Sequence, residues 1–130
     1  EAGLRRVLNL GHTFGHALEE VTHYRRFLHG EAVGWGMLAA TCLAERMKLL
    51  DPPAADRMAR LIRRVGPLPP IRDLEPRRIL GLLPRDKKAV SGRIHWVLPE
   101  RIGKVKIVSD VTPRLVASAL RDIQQAEWHD

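Results

Sequence analysis

The chain has 130 residues, 45% of them apolar and 28% charged. That is enough for one domain to bury roughly two-thirds of its unfolded surface without a disulfide or a metal staple. No apolar run approaches the ~20 residues a membrane span needs, and no signal peptide is visible. The lone Cys42 cannot pair within the chain; set in the apolar MLAATCLA stretch, it reads as a buried structural thiol and suits a reducing cytoplasm.

The net charge is +7, from 22 Lys and Arg against 15 Asp and Glu. Such a surplus favours a phosphorylated or carboxylated partner. Much of it is local: Arg57, Arg60, Arg63, Arg64, Arg72, Arg77, Arg78, Arg85, Lys87 and Lys88 face only Asp73, Glu75 and Asp86 over the same stretch. Aromatics are 5% of the chain and do not interleave with these arginines as a stacking platform would, so solvated helix faces are expected rather than a nucleic-acid surface.

In chain order, apolar residues recur at helical spacing from Leu4 to Val21 and predict a buried helix. Gly11 and Gly15, four apart, strip side chains from one side of it, so something packs or binds close to the backbone there. A polar loop around 22–26 leads to a second apolar helix over 30–50, expected to be central. Asp51-Pro52 is a helix start, with Asp as N-cap and Pro at the first helical position, followed by an apolar stripe of Ala55, Met58, Ala59, Ile62 and Val65 and a stop at Gly66-Pro67. A short helix is predicted over 76–83, and β-branched runs at 94–98 and 105–108 predict a small hairpin punctuated by Gly92 and Gly103. Thr112-Pro113 repeats the cap-then-proline start, and Val116, Ala119, Leu120 and Ile123 give the last helix its buried face. The fold class is therefore mostly α, a single helical bundle with a small β-hairpin over 1–130.

Four of the six histidines fall within the first 29 residues. His12 and His16 project from one helix face about a turn apart, and His29 opens the second helix; antiparallel packing would return it near His12. Two imidazoles on separate elements, with room for a third ligand, are one way to build an open divalent-metal site. A hydrogen-bonded or surface pair is the competing reading, since no HExxH context is present. His23 reads as a loop residue, His95 as a strand residue and His129 as part of a tail. Arg5 lies two helical turns before His12 on the same face with Asn9 between them, a polar stripe on an otherwise apolar element that points to substrate binding, with structural pairing as the competing reading. Glu31, early in its helix, either stabilises the helix dipole or orients His29.

EAGLRRVLNLGHTFGHALE followed by FLHGEAVGWGM, then RDKK and IHWVLPERIGKVKIV, resembles the dehydroquinate synthase family in order over nearly the whole chain. The resemblance implies the C-terminal half of a two-domain enzyme in the sugar-phosphate cyclase superfamily, its nicotinamide-binding N-terminal domain not in this chain. It also implies a phosphate-eliminating carbon-oxygen lyase that converts 3-deoxy-D-arabino-heptulosonate 7-phosphate to 3-dehydroquinate in the shikimate route to aromatic amino acids. The implied cofactors are Zn2+ or Co2+ held by His12 and His29 with a carboxylate from the absent domain, and NAD bound mainly by that domain. His16 then serves proton transfer or substrate hydrogen bonding, a task that suits an imidazole. Arg5 and Asn9 grip substrate oxygens, and Lys87 and Lys88 meet its carboxylate or phosphate, or else form a solvated charge run. Glu1 matches an acidic position of the family pattern. The partner is a phosphorylated keto-acid sugar, with no nucleic acid or membrane, in a cytoplasmic enzyme implied to be a homodimer at full length. The fragment alone is expected to be inactive. The alternatives are another cyclase of the deoxy-scyllo-inosose synthase type, a metal-dependent alcohol dehydrogenase of the glycerol dehydrogenase type, and a non-catalytic metal-binding or basic helical module.

Overall fold

The computed structural model describes residues 11–65, 68–83, 94–101 and 104–125. Among these, five helices and one hairpin follow in the order α1 His12–Val21, α2 His29–Arg46, α3 Pro52–Val65, α4 Pro76–Leu82, β1 Ile94–Arg101, β2 Lys104–Val111 and α5 Pro113–Gln125. This is the mostly helical bundle with a small hairpin that the sequence predicts.

The long apolar α2 is the hub, packed against α1, α3, α5 and β1, while α4 bridges α1 and α5. Phe14 and Leu18 of α1, Leu38 and Leu43 of α2, Ile79, Leu98, Val111, Val116 and Leu120 form the solvent-free centre. None of the described helices is long and apolar enough to cross a membrane.

The local start signals act as expected. The Asp51 carboxylate accepts the Ala54 N–H at 2.9 Å and opens α3 with Pro52 at its first position. The Thr112 hydroxyl accepts the Leu115 N–H at 3.2 Å and opens α5, whose Val116, Ala119, Leu120 and Ile123 are all buried.

Four expectations change. The helix predicted from Leu4 does not run unbroken to Val21: Gly11 is left-handed, at φ 85°, and α1 starts at His12. Apolar spacing continues across Gly11, whereas the described helix starts only after it; the part of the predicted helix before Gly11, with Arg5 and Asn9, lies outside the described residues. The second helix ends at Arg46, four residues before the predicted Leu50, because Lys48 takes a positive φ of 61° and the N–H groups of Leu49 and Leu50 turn back to the Ala44 carbonyl. Val65, assigned to the apolar stripe of α3, is 84% exposed, since the stripe's burial stops at Ile62. The strands reach Arg101 and Val111, further than the β-branched runs alone indicated, with irregular register between Ile94 and Trp96 and between Pro99 and Arg101. The punctuation at Gly66-Pro67, Gly92 and Gly103 lies outside the described residues.

Candidate active-site end of the helical domain

Helices α1 and α2 cross antiparallel: Gly15 meets Ala32 and Val33, and Gly11 meets Gly36 and Met37. Glycine is required on both sides of this seam. A β-carbon on Gly11 would lie 2.8 Å from the Val33 carbonyl oxygen and the Met37 nitrogen, one on Gly15 3.1 Å from the Ala32 carbonyl oxygen, and one on Gly36 would run into the Gly11 carbonyl. The close approach expected at the two glycines is thus to the backbone of α2.

Because the helices lie this close, the side chains bordering the seam are drawn together. His12 and His16 project from one face of α1, and His29 is the first residue of α2. The ring centres of His12 and His29 are 5.7 Å apart with planes 20° from parallel; His12 and His16 are 5.9 Å apart, and His16 and His29 6.1 Å. His16 and His29 are open to solvent, at 66% and 58% side-chain exposure.

Glu19 is the residue that sequence reasoning missed. Its side chain is only 13% exposed, and its carboxylate Oε1 lies 3.0 Å from His29 Nδ1 and 3.9 Å from His16 Nδ1. The signal was present, since Glu19 lies seven residues after His12 and three after His16 and so continues their helix face. Of the two roles weighed for Glu31, the structure selects the helix terminus: its Oε1 accepts the Leu28 N–H at 2.8 Å. The carboxylate in hydrogen-bond reach of His29 is instead that of Glu19.

Among the described residues, no group of three His, Cys, Asp or Glu side chains is arranged to hold a metal ion. Arg5, Asn9, Lys87, Lys88, Glu1 and His129 lie outside the described residues. His23 sits in the loop after α1 with a φ of 57°, and His95 lies on β1. Cys42 is half-buried and belongs to another part of the molecule: its thiol lies 3.8 Å from Asp122, and burial, with that carboxylate adding, pushes it up to about 11. A cleft of about 430 Å³ beside it, lined by Leu38, Thr41, Ala55, Ala59 and Asp122 among others, includes none of the histidines.

Solved structures with this architecture are similar along most of the chain. A 2-epi-5-epi-valiolone synthase from Streptomyces hygroscopicus subsp. jinggangensis 5008, solved with NAD+ and Zn2+ bound, is 31% identical with a TM-score of 0.75, over 95% of this chain and 34% of that one. A 2-deoxy-scyllo-inosose synthase complexed with carbaglucose-6-phosphate, NAD+ and Co2+ is 26% identical with a TM-score of 0.74, over 88% of this chain and 32% of that one. The fold is therefore that of a helical region of sugar-phosphate cyclases. Residues 1–89 match the family described as 3-dehydroquinate synthase C-terminal, and the chain belongs to that family. A 3-dehydroquinate synthase of Solibacter usitatus (strain Ellin6076) is 46% identical over 121 residues, 93% of this chain and 34% of the relative. The chain thus spans about a third of the length of the relatives it matches.

Proposed function

We propose that this chain is the metal- and substrate-binding part of a 3-dehydroquinate synthase, which converts 3-deoxy-D-arabino-heptulosonate 7-phosphate to 3-dehydroquinate and phosphate. The observation that carries the reading is the gathering of His12, His16 and His29 at one end of a glycine-lined helix crossing, within a chain of this family. An imidazole nitrogen binds zinc at about 2.0–2.1 Å and its ring centre lies about 1 Å further, so two rings on one ion have centres roughly 5–6 Å apart. The 5.7 Å between His12 and His29 fits that requirement. Imidazoles are suitable donors for Zn2+ and Co2+ alike. The carboxylate that would complete the site, and most of the NAD site, are assigned by the family resemblance to a domain outside this chain.

The bound metal supplies Lewis acidity that makes a sugar hydroxyl easier to deprotonate, and NAD supplies a hydride acceptor. His12 and His29 hold the metal. His16 is free of any short contact to Glu19 and two-thirds exposed, so its ring is available to take or return a proton at the substrate. Arg5, Asn9, Lys87 and Lys88 are assigned to the substrate's oxygens, carboxylate and phosphate on the sequence alone. The full-length protein is proposed to be a cytoplasmic homodimer.

Titration of the full-length protein with Co2+ tests the reading: His12→Ala and His29→Ala should each abolish tight binding, and retention of binding by both would end it. The isolated 130-residue chain should not turn over substrate; steady phosphate release by the purified chain refutes the division of labour. The second reading, a cyclase for another sugar phosphate, is favoured by the two solved neighbours. A phosphate-release assay decides between them, because the proposed enzyme acts on the carboxylate-bearing heptulosonate and not on phosphosugars lacking the carboxylate.

A further inference from the structure

We propose that Glu19 is the positioning residue of this site: from α1 it fixes the ring of His29 on α2, so that the Nε2 of His29 is presented outward, and it leaves His16 unfastened. The metal-binding consequence rests on the reading above; the ring geometry does not. An ionised carboxylate can only accept hydrogen bonds. The nitrogen 3.0 Å from Glu19 Oε1, His29 Nδ1, must therefore carry the hydrogen. The lone pair of the neutral ring is then on Nε2, the nitrogen on the far side from Glu19.

Three observations separate this from an incidental surface pair. The Glu19 side chain is 13% exposed whereas those of its two imidazole neighbours are 66% and 58% exposed, so the acid is the more enclosed partner and water competes less for it. The carboxylate nearest His29 in sequence, Glu31, is committed to the Leu28 N–H, and Glu20 is exposed. One oxygen of Glu19 faces two histidines but bonds one: 3.0 Å to His29 is a hydrogen bond, and 3.9 Å to His16 is not. The same acid therefore distinguishes a ring that must stay still from one that must exchange a proton. It also ties α1 to the first residue of α2, beside the glycine seam.

The test uses full-length protein and two readouts. In the metal-free wild type, nitrogen NMR of the His29 ring should show hydrogen on Nδ1; hydrogen on Nε2 alone overturns the proposal without any variant. In Glu19→Ala, that ring should move towards the Nε2–H form, and Co2+ affinity should fall about 10- to 100-fold, the usual effect of losing an outer partner of a ligand histidine. Glu19→Gln, whose amide oxygen can still accept, should bind Co2+ within several-fold of the wild type and keep hydrogen on Nδ1. If Glu19→Ala binds Co2+ as the wild type does while His29→Ala loses binding, the positioning role fails and the metal reading stands. If His29→Ala also binds normally, the metal reading fails, and the ring tautomer in Glu19→Ala alone decides the role of Glu19: a shift supports it and an unchanged ring overturns it.

Discussion

The α1–α2 seam and α3 use the same amino-acid alphabet to opposite ends. The seam has few charged side chains, and its glycines bring two backbones into contact; its imidazoles meet because the helices beneath them cannot lie further apart without losing that contact. Helix α3 carries Arg57, Arg60 and Arg64, all turned to solvent, while Ala55, Ala59 and Ile62 face the core. The described charge of α3 is thus ordinary amphipathic surface, whereas the three histidines gather where side chains have been removed. Proximity of backbones, more than charge density, brings the candidate site residues together.

The sharpest way to break that comparison is to put one methyl group into the seam. In Gly36→Ala the new β-carbon would overlap the Gly11 carbonyl, a backbone group that cannot rotate aside, so the helices must separate. Forced overpacking of this kind costs about 3 kcal/mol, and because Gly11 directly precedes His12, the separation also carries His12 away from His29. The urea midpoint and Co2+ affinity should fall together. Gly30→Ala, six residues earlier in α2 with nothing within 4 Å of the added carbon, is the control and should be neutral or stabilising by up to about 1 kcal/mol. Equal losses in the two variants would show that the seam is not special.

Those features that depend on neighbouring residues were legible in the sequence. Asp51-Pro52 and Thr112-Pro113 start α3 and α5 because a side-chain oxygen three residues ahead of an N–H is a local arrangement. The approach of His29 to His12 was also legible, since a short polar loop between two apolar helices leaves little but antiparallel return. The break at Gly11 was hidden because apolar spacing runs straight through it, and only the α2 backbone on the other side explains why the chain turns left-handed there. Glu19 was overlooked for a related reason: within α1 it reads as one of two adjacent surface acids, and its partner, ten residues on, belongs to another helix. Ties such as Gln124, whose side-chain amide donates to the Ile71 and Leu74 carbonyls, leave no periodic trace at all.

A smaller effect concerns the far side of the α1–α2 loop. Arg26 donates to both oxygens of Asp73 at 2.7 Å and to the Pro70 carbonyl, also at 2.7 Å, clamping the loop that delivers His29 to the segment before α4. The hydrogen bond from Arg26 holds the Asp73 carboxyl below its ordinary 3.8. A carboxyl lowered in the folded state contributes stability that is fully present above the ordinary value and disappears as pH falls through the lowered one. Stability at neutral pH should therefore exceed that of Asp73→Asn by a small margin that closes only below about pH 4 and shrinks with added salt, since the pair is open to water. Urea midpoints across pH check it; a margin that persisted at pH 2 would show that the ion pair is not its source.

The smallest effect should come from the most highly charged place. Arg57 and Arg64 are exposed, and among the described residues Arg60 pairs with Asp56, 3.2 Å away on the same helix face, at 72% and 62% exposure. Exposed pairs of this kind contribute a few tenths of a kcal/mol, and exposed substitutions away from caps and packing stay within about 0.5 kcal/mol each. Replacing Arg57, Arg60 and Arg64 together by glutamine should leave Co2+ affinity unchanged and the urea midpoint nearly so, although it removes three positive charges. A basic binding module predicts the reverse, namely retention on DNA that falls steeply with salt and is abolished by the triple substitution. Salt-dependent DNA retention of wild type and variant, measured beside Co2+ affinity, separates the two: a loss confined to DNA would move the working surface to α3, whereas no change in either leaves it at the seam, where Gly36→Ala has its effect.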